Sequence, residues 1–105
     1  MSDRETLLID WVDVPSYGMS LKLKFVKQSN GDIHIYILSQ PPYQRGQATD
    51  GHSTHRYGLS DDNPFICYDP MPRNMKDAKV IAREWAVRTA YYIRHGKWFQ
   101  KGELS

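Results

Sequence analysis

Two runs of alternating apolar residues flank an Asn-Gly pair, and this pattern leaves few folds open. Met19, Leu21, Leu23 and Phe25 alternate with Ser20, Lys22 and Lys24, while Ile33, Ile35 and Ile37 alternate with His34, Tyr36 and Leu38. A period of two marks a strand with one buried face, and Asn30-Gly31 between the runs is a hairpin turn signal. A two-residue Asn-Gly turn would pair Phe25 with Tyr36 and set the isoleucines opposite the lysines. A three-residue turn, Ser29-Asn30-Gly31, pairs Phe25 with Ile35 and Leu23 with Ile37. Only the second gathers the apolar residues on one face, so it is the expected register. Gly31 then supplies the left-handed conformation that such a turn needs.

A sheet with one apolar face needs a cover, and residues 75–95 provide it. Asn74 is a good N-cap with Asp77 in the first turn. Gly96 is the expected stop, after Arg94 and His95 at the negative end of the helix dipole. At the helical period, Ala78, Ile81, Ala82, Trp85, Thr89, Tyr92 and Ile93 form one broad apolar stripe. A second, narrower stripe holds Val80, Val87 and Tyr91. A basic line of Lys76, Lys79, Arg83 and Arg94 runs between them.

The remaining segments are less regular. Residues 1–14 carry two signals. Ser2 with Glu5 resembles a capping box, while Leu7, Ile9 and Trp11 alternate as in a strand. The expectation is a short helical turn running into an extended segment that ends at Pro15. Residues 39–64 form a long, polar, turn-rich loop, which in a compact domain is functional, mobile or a missed element. Phe65-Ile66-Cys67-Tyr68 reads as a third strand, stopped by Asp69-Pro70-Met71-Pro72. The fold class is therefore α+β: a small antiparallel sheet, made of the hairpin plus a further strand, packed against one long C-terminal helix. The 105 residues make a single domain with a long loop at 39–64.

Composition limits the function classes. Hydrophobic residues are 40% and charged residues 25% of the chain, a globular balance. A net charge of +2 does not by itself imply nucleic-acid binding. One cysteine excludes an internal disulfide and fits a cytoplasmic protein. No apolar run approaches the roughly 18 residues of a membrane span, and the N-terminus lacks a signal-peptide profile.

Several residues could carry chemistry. Cys67 is either a buried strand cysteine or a nucleophile, and a nucleophile would need His55 or His52 folded back beside it. Asp50, His52 and His55 have ligand-like spacing, but a loop enforces no coordination geometry, so no metal and no cofactor is expected. Lys76, Lys79, Arg83, Arg94 and Lys97 could meet a nucleic acid, with Tyr91, Trp98 and Phe99 stacking on bases. Val80, Val87, Tyr91, Trp98 and Phe99 could instead bind another protein, or a second copy of the chain as a homodimer.

One stretch resembles a known family. His55-Arg56-Tyr57, then Pro64-Phe65-Ile66-Cys67-Tyr68-Asp69-Pro70, then a helix with Trp85, Tyr91 and Tyr92 and the run Gly96-Lys97-Trp98, look like the bacterial ubiquitin-conjugating-enzyme-like proteins. Gln40-Pro41-Pro42 would be the family's proline-bearing segment after the hairpin. The resemblance covers about residues 19–98. It implies Cys67 as a thioester-forming nucleophile and His55 as a structural or oxyanion-side residue. The chain departs from the family in lacking a His-Pro-Asn triplet and a full-length N-terminal helix, and it is short for the fold. The residues alone favour a non-enzymatic accessory or regulatory module that acts by protein–protein interaction. Thiol chemistry at Cys67 and nucleic-acid binding by the basic helix are the alternatives.

Overall fold

A computed structural model of the chain describes residues 4–97. Its order is β1 (Glu5–Val14), β2 (Met19–Lys27), β3 (Ile33–Ser39), α1 (Gly51–Thr54), β4 (Arg56–Tyr57), β5 (Phe65–Ile66) and α2 (Met75–His95). The strands form one antiparallel sheet in the order β1-β2-β3-β5-β4, and α2 packs on one face of it. Among the described residues, no helix is long and apolar enough to cross a membrane.

The hairpin adopts the register that buries its apolar face. Phe25 faces Ile35 and Leu23 faces Ile37. The Gln28 amide donates to the Asp32 carbonyl at 2.7 Å, which leaves Ser29-Asn30-Gly31 as the turn, with Gly31 at φ +92°. Arg73 locks this turn from the far end of the chain. It pairs with the Asp32 carboxylate at 2.7 Å and donates to the Asn30 carbonyl at 2.8 Å.

The helix also lies where its caps place it. The Asn74 side chain accepts from the Asp77 amide, and Gly96 closes the C-terminus in the left-handed conformation. Its broad stripe is buried: Ala78, Ile81, Ala82, Trp85 and Ala86 pack on Leu21, Leu23, Phe25, Ile35 and Ile66. Removing this apolar surface from water is the main force that holds sheet to helix.

The N-terminal segment differs from the expected helical turn. Residues 5–14 are a ten-residue strand, because β2 offers a continuous ladder from Lys27 back to Met19. A bulge between Thr6 and Leu8 shifts the register there. Past the bulge, Leu8 and Val12 pack on the core, while Ile9 and Trp11 face away from α2. The third strand is also shorter than expected, ending at Ile66, although the Cys67 amide still bonds to the His55 carbonyl at 2.8 Å.

Candidate active site

Residues 39–64 are not a free loop. Asp50 caps the single turn of α1 by accepting from the Ser53 amide at 3.0 Å. Three contacts then tie the segment to α2. The Tyr92 hydroxyl donates to the Ala48 carbonyl at 2.8 Å. The Gln47 amide donates to the carbonyls of Tyr92 and Ile93 at 3.0 and 3.1 Å, in the last turn of the helix, where the Tyr92 carbonyl also accepts from the Gly96 amide. The Trp85 indole donates to the Thr54 carbonyl at 3.2 Å. Arg56 braces the inside of the loop, donating to the Thr54 hydroxyl and the Thr49 carbonyl at 2.8 Å each.

These ties put His55 at the end of α1, in the left-handed conformation, directly before β4. The β4–β5 pairing, Arg56 with Ile66 and Tyr57 with Phe65, continues through the bond from the Cys67 amide to the His55 carbonyl. His55 and Cys67 are therefore opposite one another across two strands. Both line a cleft of about 400 Å³ with Tyr68, Glu84, Trp85 and Arg88. The Cys67 side chain is half-buried.

The cleft is polar on its helix side and apolar at its base. Arg88 pairs with Glu84 at 2.5 Å one turn earlier on α2. Ile66 and Ile81 close the bottom. Partial burial holds His55 below the ordinary imidazole value of 6.5, and the charges of Arg88 and His52 lower it further. Its ring is neutral at pH 7 and able to accept a proton. Tyr57 flanks the thiol from β4. A hydrogen bond to the Cys67 sulfur, the charge of that group, slight burial and the charge of Asp69 raise the Tyr57 phenol above 10.0, in that order. The His55 ring and the thiol thus line one cleft, with the Tyr57 phenol interacting with the sulfur.

The other expected residues are placed differently. Asp50 is engaged as a helix cap, and hydrogen bonds from Ser53 hold its carboxyl below the usual carboxylate range. Among the described residues, no three His, Cys, Asp or Glu side chains are grouped to hold a metal. The second stripe of α2 is split. Val80 is 62% exposed, whereas Val87 packs on the core and Tyr91 meets Tyr17 edge-on at 6.4 Å. The 3-10 turn Pro15–Tyr17 supplies that cover. Two cations of the basic line serve the same segment. Arg83 donates to the Asp13 carbonyl, and Arg94 donates to the Tyr17 carbonyl at 3.1 Å with its guanidinium over the Tyr17 ring. Lys76, Lys79 and Lys97 remain exposed. Trp98 and Phe99 lie outside the described residues.

Tyr57 as a neighbour of the thiol and Arg88 as a wall of the cleft were not picked out from the sequence. Tyr57 lies in the two-residue strand β4, too short to show a period in the sequence, where the segment reads as loop. Arg88 follows Ile81 by seven residues, two helical turns, and so borders the buried stripe.

No protein family, curated protein or solved structure matches this chain.

Proposed function

We propose that the protein forms a covalent thioester at Cys67 and passes the acyl group on. The observation that carries this reading is the meeting of Cys67 and His55 in one cleft, 12 positions apart in the chain but opposite across β4 and β5. His55, neutral at pH 7, takes the proton from the thiol. The thiolate adds to the carbonyl carbon of an activated acyl group, and the leaving group departs with its bonding electrons. The product is a thioester, which a nucleophile then attacks to regenerate the thiol. The resemblance of about residues 19–98 to bacterial ubiquitin-conjugating-enzyme-like proteins supports a protein C-terminus as the acyl group. The five-stranded antiparallel sheet followed by one long helix is compatible with it, although the chain opens on β1 rather than on a helix.

The binding-module reading draws less support from the helix, because Val87 and Tyr91 are half-buried within the chain itself. The test is alkylation of the folded protein with iodoacetamide, followed by mass spectrometry. The reading expects modification at Cys67, none in Cys67→Ser, and a rate at least about tenfold lower in His55→Ala. A thiol that stays unmodified in the folded protein while reacting in urea overturns it.

A further inference from the structure

β1 is the end strand of the sheet. Among the described residues it pairs with β2 alone, over Glu5–Val14. An end strand has a row of amides and carbonyls that no ladder fills, and only another polypeptide strand has groups at the matching spacing. Two contacts show which residues turn these groups outward. The Trp11 amide donates to the Asp10 carboxylate at 2.8 Å. The Asp13 carbonyl accepts from the Arg83 guanidinium, which reaches over from α2. Trp11 and Asp13 are two positions apart, and no register shift falls between Leu8 and Val14. Alternate residues of an edge strand face the open side. Ile9, Trp11 and Asp13 therefore turn N–H and C=O away from β2, and Leu8, Asp10 and Val12 serve the β2 ladder.

The strand that fits this edge is β1 of a second copy. Set antiparallel about Asp10, two copies of β1 bring Trp11 opposite Ile9 and Val12 opposite Leu8, and each pair repeats across the two-fold axis. Ile9 and Trp11 stand exposed on the face away from α2, while Leu8 and Val12 pack on the core. Apolar side chains would thus meet on both faces of the joined sheet. The outward groups of Ile9 and Trp11 are in phase to bond each other across the axis. One pair is unfavourable. Asp10 would lie opposite Asp10 of the second copy, and like charges directly opposite destabilise a strand pair. The carboxylate that caps the Trp11 amide is also the one that stands on the axis.

We infer that the β1 edge is a self-pairing surface held closed by Asp10 and Arg83. Asp10 occupies the Trp11 amide and repels its own copy, and Arg83 occupies the Asp13 carbonyl. Charged side chains on an exposed edge guard a strand against such pairing. This device is independent of the thiol chemistry. β1 and β4 are opposite ends of the sheet, and none of Ile9, Asp10, Trp11, Asp13 or Arg83 lines the Cys67 cleft.

The test is light scattering over a concentration series, with reductant present so that Cys67 cannot link two chains, and amide hydrogen exchange by NMR. The wild type should keep the 12.3 kDa mass of one chain. Asp10→Ala/Arg83→Ala should rise towards the dimer mass, and exchange at its Ile9 and Trp11 amides should slow at least about tenfold as it does so. Adding Ile9→Pro should return the double variant to one chain, because proline there removes only an N–H that faces outward. Asp10→Asn keeps an acceptor for the Trp11 amide and removes the charge on the axis, so it should dimerise more weakly than the double variant and more strongly than the wild type. It decides the matter if the double variant does not fold. A wild type already dimeric with protected Ile9 and Trp11 amides overturns the inference. So does a single-chain mass for every folded variant, or association that Ile9→Pro leaves in place. A blocked Thr-Val-Thr-Val-Thr-Val peptide is the remaining arm. If it protects the wild-type edge amides, the two side chains do not close the edge and the inference falls. Alkylation of Cys67 reads the thiol proposal separately, so either can fail while the other stands.

Discussion

The Trp85 indole donates to the Thr54 carbonyl at 3.2 Å, and this buried contact fixes the position of the residue that follows, His55. The helix thereby sets one wall of the cleft directly and another through the loop. Trp85→Phe keeps most of the ring volume but leaves a buried carbonyl without its donor. The expected cost is about 1–3 kcal/mol of stability, read from urea denaturation. Limited proteolysis should then cut within residues 40–55 faster than in the wild type. Unchanged stability and cleavage would show that Gln47 and Tyr92 anchor the loop without the indole.

Stability should fall on acidification below neutrality. Burial, aided by Arg4 and opposed by Asp32, holds His34 below 6.5, and His55 is lowered by burial, Arg88 and His52. Both groups therefore bind protons more weakly in the folded chain than in the unfolded one. Their contribution is complete above the unfolded value of 6.5 and is lost as pH falls through the folded values. Urea midpoints should drop from pH 7.5 to 5.5, and His34→Gln should remove part of that slope. A midpoint that rises on acidification contradicts both assignments.

Gly58 carries the turn between β4 and β5. It lies at φ +76°, and a Cβ there would meet the Asn63 carbonyl oxygen at 2.5 Å and the Phe65 ring at 3.2 Å. The oxygen belongs to the backbone, so the turn itself would have to move. Gly58→Ala should cost about 1–3 kcal/mol, and amide shifts should spread along β4 and β5 to Cys67. A variant with wild-type stability and unshifted Tyr57 and Cys67 amides would mean the turn tolerates the strain.

The hairpin and α2 were legible because each repeats its period over many residues and ends on a residue with a definite capping or turn role. Gly31 and Gly96 both take positive φ where the sequence places a turn and a helix stop. β1 was hidden by its bulge, which sends Leu8 and Val12 inward and leaves Ile9 and Trp11 outside. In the sequence, Leu7, Ile9 and Trp11 look like one face. β4 and β5 have two residues each, too short to show any period. Of the candidate site, the residue types at Cys67 and His55 were visible. Their meeting depends on Trp85, Gln47 and Tyr92, contacts across 31 to 46 positions that no local pattern encodes.

Val80 and Val87 give the sharpest test of how α2 is used, because the sequence puts them on one stripe and the structure separates them. Val87 is half-buried and packs on the core, beside the Tyr17 turn that covers Tyr91. A carboxylate there would be partly desolvated, with the guanidinium one turn earlier, that of Arg83, already bonded to the Asp13 carbonyl, at a cost of about 1–3 kcal/mol. Val80 is 62% exposed and can carry a charge in water, so Val80→Glu should change stability by less than about 0.5 kcal/mol. Urea denaturation of the two variants side by side reads the difference, and near-ultraviolet circular dichroism reports whether the aromatic packing around Tyr17 and Tyr91 survives. If Val87→Glu is as stable as Val80→Glu, the 3-10 turn does not cover this side of the helix. The stripe would then be open along its length, and α2 would regain its standing as a docking surface. If Val87→Glu loses stability and its aromatic signal while Val80→Glu keeps both, the stripe serves the chain's own packing.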